Sequence, residues 1–537
     1  MSNPPVASHT AGTAEPSGGA AEESRLKRGF SFRSAFSLAF ADVSPIVALY
    51  AIFTLGLFSA GPAFFWAFPI VLAGQLLIAC VFGELASRWP YAGSVYQWAR
   101  HLRGASWGWI AAWAYTWGLT IALSTLAYGA AGFLLPAVGV DGPGKGVTAA
   151  TAIGILALGS LANMVGRRIL KIMVIASIIC EVVGSVGLST VLLVFHRVNP
   201  VDVLFDGFGT QGLGSWVGGP LLVAMAYVGW SFVGFEAAGS IAEEVERPER
   251  NVPKAIILSL LCVAAIVMYS SVAVILAIPN LDQVMAAKSG DPVTDTLVSA
   301  LGSGIARPLL IMFVIGFLSS FLAVQAAVTR CLWGSARDNA LPGSKFLVKL
   351  AGPERLPVNA IALTGVVAAI LVLLAGSNLY RVLVNFTTMG FQIAFAVPVI
   401  AALIARLTGK WKPGAFSLGR WGLPVTVLAA LWAVAQTINI AWPRTSMGDT
   451  WYLRWSMILT TGLLAVAGAV IYAVVRHRIK PPLAVRLAAE GGVTGGGEGA
   501  GDGGGGGGAA MAAPLGKAPA APASPTTPGK PGTPPRP

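Results

Sequence analysis

Apolar residues occur along most of this chain in long runs, which polar segments interrupt at intervals. A helix of about 20 apolar residues crosses the hydrocarbon core of a bilayer, and twelve runs reach or approach that length. We number them spans 1 to 12. They cover residues 34–58, 64–86, 107–135, 147–164, 169–195, 216–241, 254–278, 305–332, 358–376, 380–405, 422–442 and 454–475. The pattern predicts an all-α polytopic membrane protein with twelve transmembrane helices.

Two polar tails flank the spans. Residues 1–29 are rich in Ala, Ser, Gly and Glu and contain no recognisable signal peptide, and residues 481–537 are rich in Gly and Pro. Segments of this composition bury too little apolar surface to fold. We therefore expect one membrane domain over residues 30–480, with a disordered cytoplasmic tail on each side.

The composition excludes several classes of protein. Charged residues make up 11% of the 537 residues, whereas soluble domains contain about 25%, so this chain cannot cover a water-facing surface. Soluble enzymes, nucleic-acid-binding proteins and secreted disulfide-rich proteins are therefore poor interpretations. The four cysteines are far apart and the histidines lie outside the spans, so we expect no metal site, cofactor or enzyme activity.

The distribution of basic residues predicts the orientation in the membrane. If the N-terminus is cytoplasmic, 29 of the 36 Lys and Arg residues lie in cytoplasmic segments. Basic residues collect on that side of membrane proteins. This asymmetry predicts a multi-pass protein of the plasma membrane with both termini in the cytoplasm. It also supports twelve spans, because one miscounted span would move every later loop to the wrong side.

Two of the spans contain features that interrupt a helix. Span 1 contains Asp42-Val43-Ser44-Pro45, and proline removes a backbone donor while Asp42 adds a charge that is costly at membrane depth. Span 6 contains three glycines five residues apart between residues 229 and 239. Small residues in membrane helices often serve only for packing. However, interrupted helices at equivalent places in two halves of a chain indicate the binding site of a transporter.

The residues beside these breaks are the candidates for substrate binding. Asp42 either pairs with a substrate amine, carries a coupling proton, or caps the freed amides of the break. Trp230 and Phe232 either close over the substrate as an aromatic gate or pack, and a tryptophan face suits an amine. The predicted substrate-binding residues are Asp42, Val43, Ser44, Gly229, Trp230, Ser231, Trp113 and Trp117.

Other polar residues within the spans are candidates for coupling and gating. Glu181 lies in the middle of span 5 with no cation nearby in the sequence, which suits a proton carrier, or it is a neutral carboxyl bonded to a neighbouring helix. Glu236 either contacts substrate or ties span 6 to its neighbours. Ser319 and Ser320 are weak candidates for a sodium site with carbonyls of span 1.

Charged residues at the predicted cytoplasmic ends of the spans suggest ion pairs. Glu84 and Arg88 stand four residues apart, which predicts a local salt bridge. Glu243 and Glu244 belong either to a solvated loop or to an inner gate with Arg330 or Arg337, and the sequence does not choose between these alternatives.

Three segments point to a known family. They are residues 83–98 (GELASRWPYAGSVYQW), residues 234–256 (GFEAAGSIAEEVERPERNVPKAI) and residues 329–342 (TRCLWGSARDNALP). They resemble the signatures of amino acid–polyamine–organocation permeases, and residues 59–69 (SAGPAFFWAFP) resemble the amino acid/choline transporter branch. The resemblance implies a five-plus-five inverted-repeat core with two C-terminal helices and a site beside the breaks of spans 1 and 6. Many relatives carry a small Gly-Ser-Gly-like break that binds a carboxylate, and this chain has Asp-Val-Ser-Pro instead.

The sequence therefore predicts a secondary active transporter that imports a small amino acid or amine by alternating access. The resemblance suggests 4-aminobutyrate, choline or a polyamine-like substrate, and Glu181 suggests protons as the driving ion. The alternatives are a sodium-coupled α-amino acid permease or exchanger, or a membrane sensor without transport. A membrane-embedded enzyme or channel is disfavoured, because the spans contain isolated acids and no filter-like repeat.

Overall fold

The computed structural model of the protein describes residues 31–140, 142–207, 212–287, 290–374, 379–448 and 450–481. The predicted tails, residues 1–29 and 481–537, lie outside this part except for residue 481. Within the described part the chain is helical, and its only β-pairing is an isolated bridge between Ala351 and Leu356. The predicted all-α polytopic architecture is confirmed.

Each predicted span coincides with one helix or with a series of helical segments. Spans 3, 4, 7, 8, 9, 10, 11 and 12 are the helices Ala105–Ala137, Lys145–Val165, Pro248–Ala277, Ser303–Arg337, Val358–Leu374, Leu379–Leu407, Gly422–Ala441 and Ser456–Val475. Span 2 consists of a 3₁₀ turn, Pro62–Trp66, and the helix Ala67–Arg88. Shorter connecting helices are Val95–Arg103, Val201–Phe205, Ala242–Glu244, Leu281–Ala287, Pro292–Leu301, Ser344–Leu347, Gly419–Trp421, Thr445–Met447, Trp451–Arg454 and Arg476–Arg478.

Spans 1, 5 and 6 are interrupted. Span 1 comprises the helices Phe32–Val43, Pro45–Tyr50 and Phe53–Ala60. Span 5 comprises Arg167–Glu181, a π-helical segment Val182–Gly187, and Leu188–Phe195. Span 6 comprises Leu213–Trp216, the π-helical Val217–Leu221, Leu222–Val228, the 3₁₀ turn Gly229–Phe232 and Ala237–Ser240. Irregular backbone is tolerated at membrane depth only where it is buried in protein or lines a cavity. A binding site is therefore expected beside these three spans.

The number of membrane crossings agrees with the prediction for eleven of the twelve spans. Eleven helical stretches in the described part are long and apolar enough to cross a membrane. Span 9 has 17 residues, about the lower limit for crossing, and residues 375–378, which follow it, lie outside the described part. The twelfth crossing therefore stays a prediction.

Spans 3 and 10 pass through the centre of the bundle, whereas span 12 lies at its edge. In the most apolar window, 83% of the residues of span 3 are buried, against 11% in span 12. Spans 3 and 10 cross at Gly118 and Gly390, where a Cβ added to Gly390 would stand 2.7 Å from the Gly118 Cα. Glycine is therefore required for this close approach, which brings the two central helices together beside the breaks.

One end of the bundle, which we term the charged end, contains buried ion pairs. The Arg330 Nε lies 2.8 Å from Glu244 Oε1, and an Arg337 nitrogen lies 3.5 Å from Glu243 Oε1. These pairs join the segment after span 6 to span 8. Ion pairs of Glu243 and Glu244 with Arg337 and Arg330, which the sequence left open, are thus present, and their role as an inner gate stays a prediction.

Two further ion pairs close the charged end. Arg100 pairs with Asp338, which also accepts a hydrogen bond of 2.8 Å from the Tyr96 hydroxyl. Glu84 pairs with Arg406 of span 10. The predicted Glu84–Arg88 salt bridge is wrong, because Glu84 faces the bundle interior while Arg88 donates to the Pro413 carbonyl at 3.4 Å.

Candidate functional site

The break in span 1 follows directly from its sequence. The helix Phe32–Val43 ends at Ser44, whose φ of 48° and ψ of 113° are not helical. Pro45 then begins the next half-helix, where its missing N–H costs nothing. The Ser44 hydroxyl accepts a hydrogen bond from the Val47 N–H at 3.3 Å, as an N-cap does. Span 1 is thereby divided into two half-helices at the position that the sequence predicts.

The break in span 6 lies slightly later than its first glycine suggests. Residues Gly229–Phe232 form a 3₁₀ turn, Val233 is extended, and Gly234 has a φ of +98°. A Cβ added to Gly234 would lie 2.4 Å from Asp42 Oδ2. Glycine is therefore needed here both for the backbone conformation and for the close approach of the two breaks.

Asp42 lies where the two breaks meet. It is buried, and neither of its carboxylate oxygens has a hydrogen-bond partner among the described residues. Its backbone carbonyl accepts a hydrogen bond of 2.8 Å from the Ser320 hydroxyl. A buried carboxyl group without partners is costly, so a polar group left in this state is a strong candidate for binding something that is not part of the chain.

A small cavity opens beside Asp42. Its volume is about 20 Å³, which is space for about one water molecule. The residues that line it come from spans 1, 3, 6, 8 and 10: Asp42, Val43, Val47, Ala122, Leu126, Trp230, Val233, Gly234, Ser320, Val324 and Phe391. In this conformation the cavity therefore holds nothing larger than about one water molecule.

Glu181 of span 5 is attached to the break in span 1. The Ser44 hydroxyl donates to Glu181 Oε1, and the Ile46 N–H donates to Oε2 at 2.8 Å. The carboxyl is fully buried and lies immediately before the π-helical segment Val182–Gly187. A negative charge at a helix N-terminus is favourable, so Glu181 caps the second half-helix of span 1 from a neighbouring span.

Glu236 shapes the break in span 6. Its Oε2 accepts a hydrogen bond of 3.1 Å from the Gly234 N–H, and the Tyr115 side chain of span 3 lies against the same carboxyl group. The Ser231 hydroxyl donates to the Ala48 carbonyl at 2.5 Å, which ties span 6 to the second half-helix of span 1. Both residues thus hold the breaks in place without lining the cavity.

The remaining predicted residues divide into two groups. Trp230, Val43 and Ser320 line the cavity with Asp42. Phe232 packs instead against Phe68 of span 2, with 6.1 Å between ring centroids. Gly229 and Ser319 do not line the cavity either. A Cβ added to Gly229 would lie 2.8 Å from the Thr388 side chain, and the buried Ser319 hydroxyl has no hydrogen-bond partner among the described residues.

Trp113 and Trp117 lie in a different pocket, between spans 3, 10 and 12. That pocket is larger, about 370 Å³, but its walls are almost entirely apolar. The Trp113 Nε1 donates to the Leu464 carbonyl at 2.8 Å. No Asp, Glu, Lys or Arg lines this pocket, whereas the smaller cavity at the breaks contains the Asp42 carboxyl group. The structure therefore separates Trp113 and Trp117 from the residues at the breaks.

Sequence reasoning missed several residues that the structure brings to the site. Leu126, Val324 and Phe391 line the cavity, and Tyr115 reaches Glu236. The first three are ordinary apolar residues within apolar spans, so no local signal separates them from lipid-facing or packing residues. Tyr115 carried a weak signal, as a buried hydroxyl in the middle of a span needs a polar neighbour.

Comparisons with known proteins identify the family. Residues 30–464 match the family described as amino acid permease. The chain is 23% identical over 476 residues to amino-acid permease 2 of Neurospora crassa, covering 85% of this chain and 87% of the relative. It is 24% identical to amino-acid permease BAT1 of Arabidopsis thaliana, covering 85% and 94%, and 27% identical to the branched-chain amino acid permease BcaP of Bacillus subtilis, covering 78% and 90%.

The chain therefore belongs to the amino acid permease family, within the amino acid–polyamine–organocation superfamily. It is a multi-pass membrane protein and an amino acid transporter. The resemblance stated from residues 83–98, 234–256 and 329–342 is confirmed at the level of the superfamily.

Proposed function

We propose that this permease imports a small amino acid or amine with a positively charged nitrogen, such as 4-aminobutyrate, choline or a polyamine-like solute, across the plasma membrane, with both termini in the cytoplasm. The Asp42 carboxylate is the counter-ion of the substrate's positive charge. The observation that carries this proposal is the unpartnered carboxylate of Asp42 at the meeting point of two broken helices. A cation bound there supplies the partner that the surrounding chain does not provide.

The hydrogen bonds at the break of span 1 support an amine-directed site. Amides at the start of a half-helix commonly bind an anionic substrate group. Here Pro45 has no N–H, the Ile46 N–H is used by Glu181, and the Val47 N–H is used by Ser44. A substrate carboxylate therefore finds these donors already occupied.

Glu181 is the proposed site of the coupling proton. Ionised Glu181 accepts two hydrogen bonds from the start of the second half-helix of span 1. A proton on Oε2 opposes the bond from the Ile46 N–H, and a proton on Oε1 reverses the bond with the Ser44 hydroxyl. Either proton removes the favourable negative charge at the helix terminus. Protonation thus loosens span 1 next to the residue that holds the substrate, which links proton and substrate movement.

Alternating access requires both ends of the cavity to open in turn. The cavity of about 20 Å³ is too small for any amino acid, and the ion pairs of the charged end hold that end shut. We propose that these pairs separate when the substrate leaves toward the cytoplasm. Spans 1 and 6, joined by the Ser231–Ala48 hydrogen bond, move together in this step.

A second candidate is an α-amino acid with an apolar side chain. Val43, Val47 and Phe391 give the cavity apolar walls, and one relative is named for branched-chain amino acids. In this case Asp42 still binds the α-amine, and the carboxylate takes donors that become free as the cavity opens. Sodium coupling through Ser319 and Ser320 is the alternative to the proton.

Uptake by purified protein in liposomes tests the proposal. The panel contains choline, 4-aminobutyrate, putrescine and a set of α-amino acids, with an inward proton gradient and no sodium. Accumulation of an amine without an α-carboxylate supports the amine-directed site. Accumulation of α-amino acids alone replaces it with the second candidate, and uptake only after addition of sodium replaces the proton. If the protein binds one of these solutes but none accumulates, it acts as a membrane sensor and the proposed import is wrong.

A further inference from the structure

The apolar pocket between spans 3, 10 and 12 has no role in the proposed transport. Its volume is about 370 Å³. One wall is a row of aromatic rings on span 3, in which Trp109 and Trp113 stack at 5.3 Å and Trp117 meets Trp113 edge-on at 5.8 Å. The indole N–H groups of Trp109 and Trp113 already donate to backbone carbonyls, each at 2.8 Å. The pocket therefore presents apolar surface and no unused indole donor from these two residues.

The position of the pocket within the membrane indicates what fills it. Span 12 forms one wall, and the opposite face of span 12 is open, with Leu463, Val466 and Val470 exposed by 61–68%. Residues this apolar and this exposed on a membrane helix contact lipid chains. An apolar opening at the same depth excludes water and is filled by hydrocarbon.

Two exposed arginines stand close in the chain to the residues that line the pocket at its end toward the charged end. Ser106 and Tyr472 line the pocket there. Arg103 ends the helix that precedes span 3, three residues before Ser106, and its guanidinium carbon lies 5.6 Å from the centre of the Trp107 ring. Arg476 follows Tyr472 by four residues, about one turn further along the chain at the end of span 12. Both arginines are exposed, and no Asp or Glu stands within four residues of either of them in the sequence. Arginine binds phosphate through paired hydrogen bonds.

We propose that this pocket binds one anionic glycerophospholipid, with an acyl chain between spans 3, 10 and 12 and its phosphate at Arg103 and Arg476. The apolar walls select a hydrocarbon chain and the arginines select a negative headgroup. The lipid lies behind the Gly118–Gly390 crossing, on helices whose other residues, Leu126 and Phe391, line the substrate cavity. This proposal does not depend on the substrate or on the coupling ion.

Native mass spectrometry of the full-length protein, delipidated in detergent, tests the headgroup site. Phosphatidylglycerol and phosphatidylcholine with identical chains are added separately. We expect one phosphatidylglycerol to remain bound in preference to phosphatidylcholine, and Arg103→Gln and Arg476→Gln each to weaken it by about fivefold. Arg420→Gln is the matched control, since Arg420 is also exposed and stands over a tryptophan ring, at 5.7 Å against 5.6 Å for Arg103. Equal binding of both lipids overturns the proposal.

Substitutions that fill the pocket with a larger side chain test the binding site of the acyl chain. Ala465 of span 12 lines the pocket, whereas its neighbour Val466 is 64% exposed on the other face. Ala465→Phe should abolish retention of the lipid and its quenching of tryptophan fluorescence by brominated acyl chains, while Val466→Phe retains both. Ala469→Leu gives the same test with a smaller group if Ala465→Phe does not fold. Loss of binding in the arginine variants without any effect of filling overturns the pocket and leaves only a basic surface.

Discussion

The charged end and the cavity both contain buried acids, but the acids differ in whether a basic residue pairs with them. At the charged end, Glu244 and Asp338 are each paired with an arginine, and Asp338 also accepts a hydrogen bond from Tyr96. At the cavity, the Asp42 carboxylate has no hydrogen-bond partner among the described residues, although it is also buried.

This difference distinguishes acids that stabilise the fold through ion pairs from an acid whose carboxylate is free to bind a substrate cation. Removing one partner of a buried ion pair leaves an uncompensated charge and costs stability. Removing an unpartnered buried carboxylate takes away a group that the fold had to tolerate. Substitutions in the two regions should therefore have opposite effects on stability and on transport, and the following experiments test this from the largest expected effect to the smallest.

Arg100→Gln should be the most destabilising of these changes. It removes the Arg100 cation from the ion pair with the fully buried Asp338, which costs about 3–5 kcal/mol of unfolding free energy. Thermal unfolding of the purified protein in detergent measures the loss. Arg420→Gln, at an exposed site, should change the unfolding free energy by no more than about 0.5 kcal/mol. Equal unfolding temperatures for the two variants would mean that the charged end does not depend on its ion pairs.

Asp42→Asn should impair transport without lowering stability. The amide keeps the shape but cannot pair with a substrate cation, so uptake should fall about 100-fold, which corresponds to about 3 kcal/mol. The unfolding temperature should stay the same or rise, because an unpartnered buried carboxylate is removed. Asp202→Asn, in the exposed connection before span 6, is the control for both measurements. A large loss of stability in Asp42→Asn would make Asp42 a structural residue.

Glu181→Gln should reduce transport less than Asp42→Asn does. Glutamine keeps one acceptor for the Ser44 hydroxyl or the Ile46 N–H but cannot accept both and cannot exchange a proton. Accumulation driven by a proton gradient should fall about tenfold, while exchange of labelled for unlabelled substrate continues. If both activities disappear together, Glu181 maintains the break of span 1 and does not carry the coupling proton.

The sequence was sufficient to locate the spans because hydrocarbon thickness sets their length. The predicted run 107–135 is the helix Ala105–Ala137, and the predicted run 422–442 is the helix Gly422–Ala441. The break at Ser44 was also predictable, since Pro45 cannot continue the preceding helix. These features depend on local chemistry, which a single chain displays without its fold.

Partners across the bundle were not predictable in the same way. Glu84 stands four residues from Arg88, and the local rule paired them, but Arg406 arrives from span 10 and takes the carboxylate. Trp113 and Trp117 face away from the cavity because span 12 packs beside them, a neighbour more than 300 residues away in the chain. The candidate site therefore needed the structure, whereas the list of acids at membrane depth did not.

Two adjacent serines of span 8 give the smallest expected effect and the finest test of the comparison. The Ser320 hydroxyl donates to the Asp42 carbonyl at 2.8 Å, whereas the Ser319 hydroxyl has no partner among the described residues. Ser320→Ala removes one hydrogen bond at the break of span 1, worth about 1 kcal/mol, so uptake should fall about fivefold. Ser319→Ala, its matched control, should change uptake less than twofold in a sodium-free proton gradient. If instead sodium raises uptake and both alanine variants abolish that increase, the two hydroxyls bind sodium, and the coupling ion lies at span 8 rather than at Glu181.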